Sequence, residues 1–165
     1  MHVTLIGRVN VGNSTLFNTL TERHDAIVSS IPGTTRDTKH AHVTWRNCSF
    51  TLSDTAGLDV RPSNALEQNV RTLSMNRIKE SDVLIIVVDI HDGLTSADNT
   101  IIRLARKEHK SLILAVNKAD SPKIRMQADV FYQTGLPVHL VSAKNGSGTG
   151  DLLDAVVAAY SPKKK

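Results

Sequence analysis

The sequence predicts an α/β fold in three layers: a mostly parallel six-stranded sheet with one antiparallel edge strand, and helices on both faces. Three observations carry this expectation. The runs Val3–Ile6, Val83–Asp89 and Ser111–Val116 are almost continuously aliphatic, the pattern of strands covered on both sides. Stretches with helical spacing separate the later runs, and that alternation requires right-handed crossovers within one sheet. A length of 165 residues with 40% hydrophobic but only 4% aromatic residues fits one domain with a core of Val, Ile and Leu. The domain is expected over residues 1–160, with 161–165 as a basic tail or the start of a linker.

Each element has its own signal. Val3–Ile6 reads as the first strand, and a helix begins near Asn13 or Ser14 and runs to about Glu22, with Leu16, Phe17 and Leu20 on one face. Between His24 and Lys39 no period survives, and the turn-rich Ile31–Asp37 stretch is expected to be a mobile loop. His40–Trp45 and Cys48–Ser53 alternate apolar with polar residues around Arg46-Asn47, the pattern of a hairpin made of an edge strand and its neighbour. Pro62 and Ser63 are placed to open a helix reaching Lys79. Thr95-Ser96-Ala97-Asp98 caps a helix to about His109. A helix near Ile124–Thr134, a strand at Val138–Val141 and a helix from about Gly150 to Tyr160 complete the chain.

In sheets of this kind ligands bind beyond the carboxyl ends of the strands, and four polar clusters fall there. The first is Gly7-Arg8-Val9-Asn10-Val11-Gly12-Asn13-Ser14-Thr15, which fits the phosphate-binding pattern G-x-x-x-x-G-K-S/T at every fixed position but one: Asn13 stands where the pattern has lysine. The others are Asp54-Thr55-Ala56-Gly57, Asn117-Lys118-Ala119-Asp120 and Ser142-Ala143-Lys144, and the irregular Pro32–Asp37 loop lies between the first two in sequence. A guanine nucleotide with Mg²⁺ gives each cluster a task. Ser14 and Thr35 offer hydroxyls to the ion, and Asp54 can hold it through water. The Gly57 amide can contact a γ-phosphate. Asp120, an acceptor-only carboxylate, can take both N1–H and N2–H₂ of guanine, a donor pair that adenine lacks. Asn117 and Lys118 would brace the base and the loop, and the Ser142-Ala143 backbone would face guanine O6.

Composition narrows the function classes. The longest apolar run, Val83–Val88, is far short of a membrane span, and Met1 opens directly into a strand-like run, so a cytoplasmic protein without membrane contact is expected. Cys48 is alone and forms no internal disulfide. A net charge of +4 permits RNA contact without requiring it. No aromatic platform or basic stripe supports an RNA-binding domain acting by charge alone, and DNA is not an expected partner. The seven histidines show no metal-ligand spacing.

Taken together, Gly7-Arg8-x-Asn10-Val11-Gly12-x-Ser14-Thr15-Leu16-Phe17-Asn18, Pro32-Gly33-x-Thr35-Arg36-Asp37, Asp54-Thr55-x-Gly57-Leu58, Asp92-Gly93-Leu94-Thr95-x-x-Asp98, Asn117-Lys118-x-Asp120 and Gly148-x-Gly150-Asp151-Leu152-Leu153 closely resemble the first GTPase domain of the EngA/Der family of bacterial ribosome-assembly GTPases. The resemblance covers almost the whole chain and implies a three-layer P-loop GTPase domain, a GTP/GDP switch in large-subunit biogenesis. It also implies Mg²⁺ as cofactor, and a ribosomal subunit or rRNA as partner through a longer protein. A K⁺ ion at Asn10 belongs to the same expectation, with Asn10, Thr35 and Gly57 as catalytic groups. Leu58 occupies the position where many GTPases carry a water-orienting glutamine. Two residues depart from the family pattern. Val9 replaces its usual proline, and Asn13 replaces its lysine, which predicts weakened phosphate binding and hydrolysis. The alternative is a nucleotide-dependent binding module without turnover.

Overall fold

Seven consecutive side chains, Val83–Asp89, are buried, and the sheet is built outward from them. The computed structural model describes residues 1–24, 26–29, 39–55 and 75–160. In chain order the elements are β1 (His2–Ile6), α1 (Asn13–Glu22), β2 (Ala26–Ser29), β3 (Lys39–Trp45), β4 (Cys48–Asp54), α2 (residues 75–80), β5 (Val83–Asp89), α3 (Ser96–Lys107), β6 (Ser111–Asn117), α4 (Pro122–Arg125), α5 (Asp129–Tyr132), β7 (Val138–Leu140) and α6 (Thr149–Ala159). The strand order is β2-β3-β4-β1-β5-β6-β7. β1 pairs in parallel with β4 and β5, and β6 with β5 and β7, whereas β3 runs antiparallel to both its neighbours.

Among the described residues the sheet therefore has seven strands where the sequence predicts six. The extra strand is β2, in a stretch expected to be irregular, and it covers β3, which is second from the edge. Four residues are too few to show a period. Ala26 packs against the core while its neighbour Ile27 is 76% exposed. The hairpin forms as expected, with Arg46 (φ 47°) and Asn47 (φ 61°) both left-handed, the backbone of a two-residue turn matched to strand twist.

Two aliphatic layers hold the helices. Leu16, Phe17 and Leu20 of α1 and Leu152, Leu153 and Val156 of α6 pack on Val3, Leu5, Leu52, Ile85 and Val87. On the opposite face Ile78, Ile101, Ile102 and Phe131 cover Ile6, Leu84, Ile86, Leu114 and Val116. Each fully buried Val, Leu, Ile or Phe contributes roughly 1.5–3 kcal/mol, so the strand ends that carry the polar clusters stand on a deeply buried core. α3 starts with a complete capping box: the Thr95 hydroxyl accepts from the Asp98 amide and the Asp98 carboxylate accepts from the Thr95 amide. The single helix expected near Ile124–Thr134 is instead two one-turn pieces, α4 and α5, joined by turns at Met126–Ala128. The helix expected from Pro62 is described only from residue 75.

Candidate functional site

Gly7 follows β1 because nothing larger fits: a Cβ there would lie 2.7 Å from the Val87 carbonyl oxygen of β5. The loop it opens ends at Gly12, which takes φ +97° and caps α1 without any side-chain hydrogen bond. The first α1 amides thus have no side-chain acceptor and face an open cleft of about 690 Å³, lined by Arg8, Val9, Asn10, Gly12, Asn13, Ser14, Thr15 and Lys118. Amides at a helix start, with the positive end of the helix dipole behind them, are an anion site.

The clusters predicted from separate parts of the sequence meet here. Asn117, almost fully buried at the end of β6, donates through Nδ2 to the Val11 carbonyl (2.9 Å) and accepts through Oδ1 from the Ala143 amide (3.0 Å). Lys118, itself left-handed at φ 65°, reaches the Asn10 carbonyl (2.8 Å) and the Asp89 carboxylate at the end of β5 (2.9 Å). Asp120 Oδ1 accepts from the Ser142 hydroxyl at 2.5 Å, which fixes the carboxylate beside the 142–144 turn. The Thr19 hydroxyl of α1 donates to the Ala143 carbonyl (2.6 Å), a tie the sequence did not reveal. The Ser142 amide donates to the Ser147 carbonyl and the Ala143 amide to Asn117 Oδ1, so both are engaged within the protein. Lys144 is exposed.

Asn13 is 5% exposed and turned back on its own loop, with Nδ2 donating to the Gly7 carbonyl at 3.2 Å and Oδ1 without a partner. Position 13 supplies no ammonium, and that of Lys118 lies at the loop crest, on the Asn10 carbonyl. Arg8 does not fill the place of the missing lysine. Its Nη2 bonds the Asp92 carboxylate at 2.5 Å, and its Nε faces the fully buried Asp98 at 3.3 Å. Burial would lower the Arg8 pKa, but the hydrogen bond that Arg8 donates to Asp92 and the charges of both carboxylates outweigh it and raise the value. Swinging Arg8 toward phosphate would leave Asp98 buried without its partner, at a cost of about 3–5 kcal/mol.

The ion-binding residues can be tested on their own chemistry. Ser14 Oγ donates to Asp54 Oδ2 at 3.0 Å, and the other Asp54 oxygen is buried without a hydrogen bond. Burial holds the Asp54 carboxyl above its usual range, against the opposing pull of the Ser14 hydrogen bond and the Lys39 charge. A buried carboxylate with an unused oxygen beside a hydroxyl is a hard-oxygen set that fits Mg²⁺. Thr55 turns inward, its hydroxyl and its amide both on the Leu5 carbonyl. Thr35, Ala56, Gly57 and Leu58 lie outside the described residues. Among the described residues no group of three His, Cys, Asp or Glu side chains gathers to hold a metal, and no helix is long and apolar enough to cross a membrane.

Comparisons with known proteins agree with this geometry. The sequence profile of the family described as 50S ribosome-binding GTPase matches residues 2–118. GTPase Der of Symbiobacterium thermophilum is 45% identical over 159 residues, covering 95% of this chain and 34% of that protein. GTPase Der of Flavobacterium johnsoniae is 42% identical over 162 residues, covering 98% of this chain and 37% of that protein. The chain thus spans about a third of the length of these curated relatives. The G domain of the T. maritima FeoB iron transporter superposes with a TM-score of 0.74 at 26% identity, covering 98% of this chain and 99% of that one. Era of Aquifex aeolicus bound to GDP and aluminium fluoride gives a TM-score of 0.79 at 24% identity, over 99% of this chain and 57% of that one, a likeness of fold. The EngA/Der resemblance of the motifs is therefore matched over nearly the full chain, and the chain belongs to the family of 50S ribosome-binding GTPases.

Proposed function

We propose that this chain is a cytoplasmic guanine-nucleotide-binding domain, a GTP/GDP switch in the assembly of the large ribosomal subunit, whose phosphate binding and hydrolysis are weakened by Asn13. The observation that carries the reading is Asn117, whose one side chain joins the phosphate loop at Val11 to the 142–144 turn at Ala143 and so gathers the nucleotide clusters at one edge. In this reading the backbone of residues 7–15 holds the phosphates and Asp120 selects guanine. Ser14, Thr35 and Asp54 would hold Mg²⁺, which would neutralise phosphate charge. The motif Asp54, Thr55, Ala56, Gly57 and Leu58 is assigned to recognition of the terminal phosphate. Contact with rRNA or a ribosomal subunit would come through a longer protein like the relatives, of which this chain spans about a third.

Water orientation cannot come from Leu58, and Asn13 supplies no charge to the transition state. Asn10 supplies the remaining candidate: its amide oxygen is a hard neutral ligand for K⁺, and its left-handed backbone (φ 70°) lies at the loop crest, where Lys118 holds its carbonyl. Phosphate release under multiple turnover should rise when K⁺ replaces Na⁺ at constant ionic strength, and Asn10→Ala should remove the difference. Measured in the Asn13→Lys background, rates indifferent to the alkali cation would rule this route out. The folded-back Asn13 supports a second reading, a module that binds GDP without turnover. Persistent absence of phosphate release with GDP binding retained would select it.

A further inference from the structure

We propose that Arg8 is a positioning residue: clamped between Asp92 and Asp98, it ties the crest of the phosphate loop to the start of α3 and sets the loop's grip on the β-phosphate without touching it. This rests on reading residues 7–15 as a nucleotide-phosphate site. The crest, Arg8 to Val11, lies between a strand and a helix, with a single bridge residue at Arg8 followed by turn. Two carbonyls are held from the β6 end, Val11 by Asn117 and Asn10 by Lys118. On the other side the tether is Arg8, whose side chain reaches the β5–α3 connection at Asp92 and the first turn of α3 at Asp98.

Asp98 has two tasks at once. It closes the capping box with Thr95 and it faces Arg8 Nε, and it is fully buried while doing so. Arg8 can serve both carboxylates because guanidinium is a planar fork; a lysine ammonium cannot span the pair in the same way. Asp92, half exposed, is held below the usual carboxylate range by its hydrogen bond to Arg8, with a smaller opposing effect of burial. The loop crest and the α3 start are thus joined by one charged contact. A ligand that orders the first must order the second, and the coupling is reciprocal.

The test uses Asp92→Asn with Asp98→Asn, amides of the same shape that keep an acceptor for the Thr95 amide and release Arg8. Affinities for GDP and GMP are measured by NMR titration, together with hydrogen exchange at the Asp98 and Asn99 amides. Positioning predicts that GDP affinity falls on the order of tenfold, GMP affinity stays unchanged, and the protection that GDP confers on those two amides disappears. Arg8→Lys should move the GDP-to-GMP ratio in the same direction. If Arg8 were a direct phosphate ligand, releasing it would leave GDP affinity equal or higher, and the proposal would be overturned. A merely structural clamp would lower the melting temperature with the GDP-to-GMP ratio unchanged, which also overturns it. An unaltered chain that binds no GDP would instead refute the nucleotide reading beneath it.

Discussion

In the proposed reading, the side chain at position 13 sets how strongly the site holds phosphate. A lysine there would make about two charge-assisted hydrogen bonds, each worth roughly 1.5–3 kcal/mol, whereas Asn13 spends its amide on the Gly7 carbonyl. Backbone amides at the α1 start and the glycine frame are unaffected by the replacement. Asn13→Lys should therefore raise GDP and GTP affinity by on the order of 10²–10⁴. Calorimetric titration showing no gain would mean that the loop does not hold phosphate. The identity of Asn13 was legible in the sequence because the surrounding pattern left one position to be filled. Its inward turn was not, since a short amide fits either the cleft or its own loop, and packing against Gly7 decides between them. The engagement of Arg8 was hidden for a related reason: Asp92 and Asp98 are more than 80 residues away, and only the β1–β5 pairing brings their loop beside it.

Among the elements, those with strong periodicity or explicit end signals were readable. β5 is aliphatic up to Asp89 and is bounded as the sequence predicts, the hairpin carries its own turn, and the start of α3 has Thr95 and Asp98 three residues apart. β2 was not readable, because four residues paired on one side only need no pattern of their own. Neither was the break between α4 and α5, where helical spacing persists across a turn. Some tertiary ties also carry no sequence signal. Asp154 of α6 accepts from Trp45 Nε1 and Arg46 Nε at the hairpin turn, and these bonds hold its carboxyl below the usual range. The cap is the element whose worth can be measured most cleanly. Thr95→Ala removes a side-chain acceptor at the α3 start and should cost about 1 kcal/mol, read as a lower urea midpoint with unchanged slope. An unchanged midpoint would contradict the role given to the capping box.

For the whole molecule, protonation offers a check on packing that is independent of nucleotide. Burial, with Arg23 nearby, holds His24 below its usual pKa; burial, with Arg77 and His2, does the same for His40. The folded chain then binds fewer protons than the unfolded chain just below about pH 6.5, so stability rises with pH through that window. The contribution is complete above it and is lost as the pH falls below it. The urea midpoint should drop between pH 7.5 and 5.5, and drop less when both are changed, His24→Gln with His40→Gln. Equal slopes in the two proteins would show that neither imidazole is desolvated by folding.

The proposed function joins clusters from separate parts of the chain at one sheet edge, where Asp120 would select the base. The most direct test is an equilibrium titration of GDP and ADP, each with Mg²⁺, against the unaltered chain and its Asp120→Asn variant. Measurable GDP binding, ADP binding weaker by at least tenfold, and a shift of the variant toward xanthosine diphosphate are the predicted results. Equal binding of GDP and ADP by the unaltered chain, or no binding of either, would contradict the assignment of this edge as a guanine-nucleotide site.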